Sequence, residues 1–133
     1  MTRGWRGLVS LVVVALCLAA AARAQDLQKL ANTTPQQRAD IQTEFLTKRL
    51  GLSPEERTKI AALNLKYSEQ AQPILTGSEG ALRKMHALKE IESQKESELK
   101  GILTPAQFQK YLASKEQLRS HMMKALSHHA AAQ

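Results

Sequence analysis

Apolar residues recur every three or four positions along most of the chain after residue 33, which is the spacing of amphipathic helices. Gly51, the segment Thr76–Gly80 and Leu103 interrupt this pattern and divide it into four parts. We predict helices over residues 35–50, 54–74, 81–102 and 105–126. No segment alternates apolar and polar residues with period two, so we expect an all-α fold without a sheet.

Two of these helices begin with related motifs that lie 51 positions apart. The later motif has Thr104 as N-cap, Pro105 as first helical residue and Gln107 at the third position, the pattern of a capping box. Leu103 before the cap and Phe108 after it add a hydrophobic staple. The earlier motif offers Ser and Glu in the cap and third positions. The motif residues are Leu52, Ser53, Pro54, Glu56, Leu103, Thr104, Pro105 and Gln107.

A third box is predicted before the first helix, with Thr34 as cap, Pro35 next and Gln37 at the third position. Gly51 suits the left-handed residue that ends a helix. The apolar stripe of the third helix is interrupted by charged residues at Glu92 and at Lys95 or Glu96. Such a helix belongs to a thin bundle or lines a surface shared with a partner, and we favour the thin bundle.

The first 24 residues have the composition of a secretory signal peptide. Arg3 and Arg6 precede a mostly apolar run of 15 residues from Leu8 to Ala22, and Ala22-Arg23-Ala24 supplies a small-residue cleavage site. The run is shorter than the roughly 20 residues that span a bilayer, so we expect export without a stable membrane anchor, with a retained anchor as the alternative. Cys17 is the chain's one cysteine and lies within this segment, which excludes disulfides and thiol catalysis from the mature chain.

The remaining chain divides into a loosely ordered segment over residues 25–33, a helical domain over 34–126 and a disordered tail over 127–133. Removal of Arg3, Arg6 and Arg23 from the 19 Lys and Arg leaves 16 against 12 acidic residues, a net charge of +4. These charges are interspersed and form no basic stripe with aromatic residues, so nucleic acid is rejected as a partner. Aromatic residues make up only 4% of the chain, and so small a core favours a homodimer.

Leu103, Thr104 and Gln107 fit the pattern L-T-x-x-Q, and the chain therefore resembles the LTXXQ-motif periplasmic family of Spy/CpxP-like chaperones and envelope-stress regulators. In the earlier copy Leu52 matches, whereas Ser53 and Glu56 replace the Thr and Gln of the pattern. The order of helices and corners is similar from about residue 38 to 125.

The resemblance implies a four-helix, thin and curved helical-hairpin architecture that pairs as an antiparallel homodimer. It further implies an ATP-independent holdase that binds unfolded or aggregation-prone periplasmic proteins on an apolar and basic surface. The alternative within the same fold is an adaptor that restrains a sensor kinase or responds to metal. Residues proposed to contact a client, each of which has core or dimer packing as its alternative, are Ile41, Phe45, Leu46, Arg49, Arg83, Lys84, Met85 and Leu88.

The four histidines lack the i, i+4 spacing that suits two ligands of one zinc ion on a helix. His121 and His128 lie two turns apart, about 10 Å along a helix axis. We therefore predict no metal site and no cofactor, and keep His121, His128 and His129 only as weak metal candidates. The sequence contains no nucleophile elbow, phosphate loop or helix-spaced Glu-x-x-His pair, so we do not expect an enzyme.

Overall fold

A computed structural model describes residues 23–132, so the predicted signal peptide falls almost entirely outside the described residues. The first described helix, α1, covers residues 23–31. It is followed by α2 (Pro35–Leu50), α3 (Pro54–Thr76), α4 (Ala81–Ile102) and α5 (Pro105–Ala131). Residues 23–132 contain no strand, and the predicted all-α class is confirmed.

The predictions for the two ends of the helical domain were wrong. Residues 23–31 form a helix where we expected a loosely ordered segment, and Arg38 holds its end by donating to the carbonyl oxygens of Leu30 at 2.8 Å and Thr33 at 2.6 Å. At the other end α5 continues to Ala131 instead of fraying after Leu126. Alanine has the highest intrinsic helix propensity, and the alanines near the end of the chain favour this continuation of the helix past the exposed Ser127 and His128.

All three predicted capping boxes are present, and both hydrogen bonds form in each. The hydroxyl oxygen of the cap accepts from the backbone N–H at the third helical position over 3.1–3.2 Å, and the side chain at that position accepts from the cap N–H over 2.9–3.0 Å. The pairs are Thr34 with Gln37, Ser53 with Glu56, and Thr104 with Gln107. Gly51 ends α2 with φ of 62°, the left-handed conformation that its position predicted.

The packing of the helices concentrates the core near the two corners. α3 packs against both α2 and α4, and α5 packs against α2, whereas the α4 and α5 backbones stay farther apart. Leu103 and Phe108 both join the core, which supports the predicted staple. The buried core residues are Leu46, Leu50, Ile60, Leu63, Tyr67, Leu99, Leu103, Phe108 and Tyr111.

The two corners are joined by a hydrogen bond between their third helical residues, an arrangement that we call the corner clasp. Gln107 Nε2 donates to Glu56 Oε2 at 3.1 Å, and the backbone N–H of Ser53 donates to the same oxygen at 2.9 Å. The pKa of Glu56 is lowered from its ordinary value of 4.5. The main cause is the hydrogen bond from the Ser53 N–H, and the second is the hydrogen bond from the Gln107 amide. The starts of α3 and α5 are therefore fixed to each other as well as to their own caps.

Substitution of the later cap tests the local part of this arrangement. Thr104→Ala removes the acceptor for the Gln107 N–H, and we expect a loss of about 1 kcal/mol in the free energy of unfolding. In a domain of this size the melting temperature should fall by about 4 °C. Thr104→Ser should retain most of the stability, and Thr58→Ala, in the exposed first turns of α3, should change it little. Equal stability of the Thr104→Ala protein would contradict the capping role.

Acid titration tests the corner clasp itself. Because the pKa of Glu56 is lowered in the fold, the ionised carboxylate stabilises the protein above its ordinary pKa, and this contribution is lost as the pH falls through the lowered value. Glu56→Gln should melt below wild type at pH 7, and the difference should shrink as the pH falls from 4.5 toward 3. Glu55→Gln is the matched control at the same helix end, since Glu55 takes no part in the clasp. A difference that does not depend on pH would overturn this electrostatic account.

Candidate functional site

A pocket that is partly open to solvent lies beyond the core, between α2, α3 and α4, and we call it the inner cavity. Its volume is about 210 Å³, and Leu30 of α1 lies against it. One part of its wall is apolar, whereas the other carries buried polar and charged side chains. The lining residues are Leu30, Arg38, Gln42, Asn64, Tyr67, Ser68, Ala71, Leu75, Leu88, Ile91, Glu92 and Lys95.

Arg38 is a buried cation, with 2% of its surface exposed, whose hydrogen bonds all go to neutral oxygens. In addition to the end of α1, it donates to the Ser68 carbonyl oxygen at 3.0 Å and to Gln72 Oε1 at 2.7 Å. Burial lowers the pKa of Arg38, but a guanidinium remains charged in proteins. Arg38 thus connects α1, α2 and α3, and both of its terminal nitrogens donate hydrogen bonds to these helices or to the turn after α1.

Lys95 is a second buried cation, with 4% of its surface exposed. Its Nζ donates to Gln42 Oε1 of α2 at 2.5 Å. Burial lowers the pKa of Lys95, while the carboxylates of Glu92 and Glu96 raise it and Lys115 lowers it further. An ammonium has three donors, and among the described residues Gln42 is the one hydrogen-bond partner.

The carboxylates beside Lys95 are engaged by α5. Glu92 Oε1 accepts from the Tyr111 hydroxyl at 2.6 Å, and Lys115 donates to Glu96 and lies 3.9 Å from Glu92 Oε1. These side chains bridge the gap between the α4 and α5 backbones. Burial raises the pKa of Tyr111, and the nearby Glu92 carboxylate raises it further. The phenol therefore keeps its proton and donates it in the hydrogen bond to Glu92.

Asn64 is fully buried and has an unused acceptor. Its Nδ2 donates to Thr43 Oγ1 at 2.9 Å, and Thr43 in turn donates its hydroxyl proton to the Ala39 carbonyl oxygen at 2.8 Å. The Thr43 oxygen must therefore accept from Asn64, which fixes the orientation of the amide. Asn64 Oδ1 accepts no hydrogen bond from any described residue, and a buried unpaired acceptor costs about 1–3 kcal/mol.

A shallow groove lies farther along α2, where that helix meets α5, and we call it the aromatic groove. Its volume is about 390 Å³, and its lining residues are Glu44, Phe45, Lys48, Arg49 and His121. The rings of Phe45 and His121 lie 5.3 Å apart between centroids and are tilted by 39°. Arg49 Nε donates to Ser114 Oγ at 3.1 Å, which holds its guanidinium at the groove.

The structure separates the predicted client-contact residues. Phe45 and Arg49 meet in the aromatic groove, and Ile41 is half-buried on the same helix. Leu46 is fully buried in the core, so its assignment to a contact surface was wrong and the core alternative applies. Leu88 is half-buried and lines the inner cavity, away from Phe45 and Arg49.

The remaining predicted contacts lie at the start of α4. Arg83 is exposed and pairs with Glu79 at 3.2 Å, and Lys84 Nζ donates to the Leu75 carbonyl oxygen at 3.0 Å. Met85 is half-buried. Our sequence prediction missed the neighbouring Leu82, which is 83% exposed although it continues the apolar stripe of α4.

The weak metal candidates are dispersed along α5. His121 lies against Phe45, whereas His128 and His129 are exposed in its last turn. Over residues 23–132 no group of three or more His, Cys, Asp or Glu side chains is placed to hold a metal ion. In the same range no helix is both long enough and apolar enough to cross a membrane.

A family model for a domain of unknown function, DUF4890, matches residues 22–111. The chain belongs to this family. The DUF4890 segment contains helices α1 to α4, both corners and every residue that lines the inner cavity, and it ends at Tyr111 in α5. No curated protein and no solved structure matches the chain.

The sequence analysis did not predict that the polar residues of the inner cavity form a site. Lys95 alone gave a partial indication in the DUF4890 sequence. It falls in the apolar stripe of α4, where a charged residue must either leave the core or find a partner within it. The structure shows that it is buried against Gln42. Arg38 and Asn64 gave no comparable signal, because their partners lie on other helices and are set by the tertiary fold.

The Lys95 ammonium should destabilise the fold at neutral pH. Replacement of a buried charge by an apolar side chain of similar length removes a desolvation cost, so Lys95→Met should raise the free energy of unfolding by about 1–3 kcal/mol. Since burial lowers the pKa of Lys95, the unfolded chain binds its proton more readily, and wild-type stability should rise toward pH 10.5. The advantage of Lys95→Met should therefore shrink over that range.

Thermal melts from pH 7 to 10.5 measure this difference, with Glu92, Glu96 and Lys115 unchanged in both proteins. Lys89→Met, on the exposed side of α4, is the matched control and should have a small effect at every pH. A Lys95→Met protein that melts below wild type at pH 7 would show that the hydrogen bond to Gln42 outweighs the cost of burial.

Proposed function

We propose that this DUF4890 chain is an exported, ATP-independent holdase that binds unfolded segments of aggregation-prone proteins. The observation that carries the proposal is the aromatic groove, in which a half-exposed Phe45 ring lies beside the cations Lys48 and Arg49, with Glu44 paired to Lys48 at 3.0 Å. An open apolar surface bordered by basic side chains suits a flexible chain that carries apolar and acidic residues. Such binding would be weak and broad, as a holdase requires.

The overall charge supports the same function. The predicted mature chain has a net charge of +4, and attraction of this kind is screened within about 8 Å at physiological ionic strength. Apolar contact with Phe45 is not screened by salt. Charge would thus govern capture of the client, and apolar contact its retention.

The proposal includes the periplasm as the compartment and a thin, curved four-helix homodimer as the acting form. It draws these features from the predicted signal peptide and from the resemblance of the two Leu-Ser/Thr-Pro corners to the LTXXQ-motif family. The described helices supply one supporting feature, since both corners occur at helix junctions and are joined by the corner clasp.

An aggregation assay tests the function directly. A chemically denatured, aggregation-prone protein is diluted into buffer with the purified mature chain, without nucleotide, and light scattering is followed. Scattering should fall in a dose-dependent manner, and high salt should weaken this protection. Phe45→Ala should shorten retention of the client, and Lys48→Gln with Arg49→Gln should slow its capture.

Two controls separate binding from folding. Lys29→Gln with Lys89→Gln removes the same charge from exposed positions on α1 and α4, outside the groove, and should protect nearly as well as wild type. Melting curves identify any loss of stability in Phe45→Ala, because that ring also packs on the core. Unchanged client aggregation at equimolar dimer, together with a change of fold or oligomeric state in zinc or copper, would favour the adaptor alternative over the holdase.

A further inference from the structure

We propose that the aromatic groove prefers an extended client segment in which one residue separates an aromatic residue from an acidic residue. The aromatic side chain packs against the rings of Phe45 and His121, and the carboxylate binds the Arg49 guanidinium. This inference rests on the proposed holdase function, because it names the client segment that the same groove selects. General attraction by charge and apolar contact would accept the same two residues at any spacing.

Arg49 is held in a fixed orientation at the groove. Its Nε donates to Ser114 Oγ at 3.1 Å, and the Ser114 hydroxyl donates its own proton to the Lys110 carbonyl oxygen at 2.7 Å. The Ser114 oxygen must therefore be the acceptor for Arg49. Ser114 is 1% exposed whereas Arg49 is exposed, so a buried residue positions a guanidinium that solvent and a client can reach.

The outer edge of this guanidinium matches a carboxylate. Among the described residues Ser114 is the one hydrogen-bond partner of Arg49, and it occupies the Nε side. The two terminal nitrogens present parallel N–H groups, which fit both oxygens of one carboxylate. The oxygen of a client amide or hydroxyl group can accept from only part of this edge, so the geometry favours aspartate or glutamate.

The other charges of the groove make Arg49 the group that selects an acid. Lys48 pairs with Glu44 at 3.0 Å, so these two charges largely offset each other. The hydrogen bond from Lys48 lowers the pKa of Glu44, and this carboxylate therefore stays ionised and paired at neutral pH. Arg49 is thus the lining cation with which no described carboxylate is paired.

The two rings of the groove provide the aromatic contact. Phe45 is half-buried and His121 is exposed, and their centroids lie 5.3 Å apart with a tilt of 39°. Neither ring is covered by a described aromatic residue on its outer side. A client ring can therefore pack against this pair in an offset or edge-to-face arrangement, which aromatic side chains prefer.

The spacing of Phe45 and Arg49 along α2 sets the spacing in the client. Four helical residues separate them, which corresponds to about 6 Å along the helix axis. In an extended chain, residues i and i+2 point to the same side and lie roughly 6.6 Å apart, whereas adjacent residues point to opposite sides. A client that runs along α2 therefore reaches both contacts at once only when one residue separates the aromatic from the acid.

Titration of the mature chain into three end-blocked peptides tests the proposal. The one tryptophan of the chain, Trp5, lies in the predicted signal peptide, so tryptophan fluorescence reports the peptide alone. The peptide acetyl-Ser-Trp-Ser-Glu-Ser-amide should bind most tightly. Its isomer acetyl-Ser-Trp-Glu-Ser-Ser-amide and its neutral analogue acetyl-Ser-Trp-Ser-Gln-Ser-amide should each bind about three- to fivefold more weakly, the effect of losing one well-formed exposed ion pair.

Variants assign the preference to the groove. Arg49→Gln should bind the glutamate and glutamine peptides equally, and Phe45→Ala should weaken binding of all three peptides. Ser114→Ala keeps the charge of Arg49 but releases its orientation, so the preference for glutamate should persist while the preference for its spacing is lost. Arg49→Lys, which has the charge without the planar edge, should behave in the same way. Lys89→Gln, outside the groove, should match wild type, and melts verify the folding of each variant.

Three outcomes would overturn the proposal. Equal binding of the two glutamate peptides to wild type would refute the spacing, and equal binding of the glutamate and glutamine peptides would refute acid selection by Arg49. A ranking that Arg49→Gln leaves unchanged would place the peptide elsewhere. Protection in the aggregation assay would still support the holdase in each case. Conversely, the expected ranking without protection would support the preference of the groove and refute the holdase.

Discussion

The hydrogen bond from Gln107 to Glu56 couples two helix starts that lie 51 residues apart in the chain. Each of these side chains also accepts from the backbone N–H of its own cap. The same two residues thus set the local start of a helix and the relative position of α3 and α5. Leu103 and Phe108, which flank the later corner, belong to the hydrophobic core cluster, so the clasp lies beside the core.

The chemistry of the two side chains suits this coupling. A carboxylate accepts hydrogen bonds only, and a glutamine amide can donate from its nitrogen while its oxygen remains on its own cap. Glu56 opposite Gln107 therefore makes a charge-assisted hydrogen bond without disturbing either capping box. Ser53 and Glu56 thus form the capping box, and Glu56 adds a tertiary contact.

Local signals in the sequence predicted the parts of the fold that local physics determines. The caps at Thr34, Ser53 and Thr104 and the turn at Gly51 follow from hydrogen bonding within a few residues, and the structure confirms each. The helix over residues 23–31 was missed because it depends on Arg38, whose donors reach it from α2. Periodicity likewise placed Phe45 and Leu46 on one helix, yet it did not separate the groove residue from the core residue, since that depends on where α5 packs.

The helix α2 contributes side chains to both candidate sites. Gln42 faces Lys95 in the inner cavity, and Phe45, about one turn later, lines the aromatic groove with His121. A helix of 16 residues is marginal in isolation, so the position of α2 depends on packing from both sides. On the side of α3 that packing includes the buried Thr43–Asn64 hydrogen bond, and on the side of α5 it includes Arg49 and Ser114. The polar interior is therefore part of what holds the groove in place, although the two sites differ in the chemistry that each offers to a ligand.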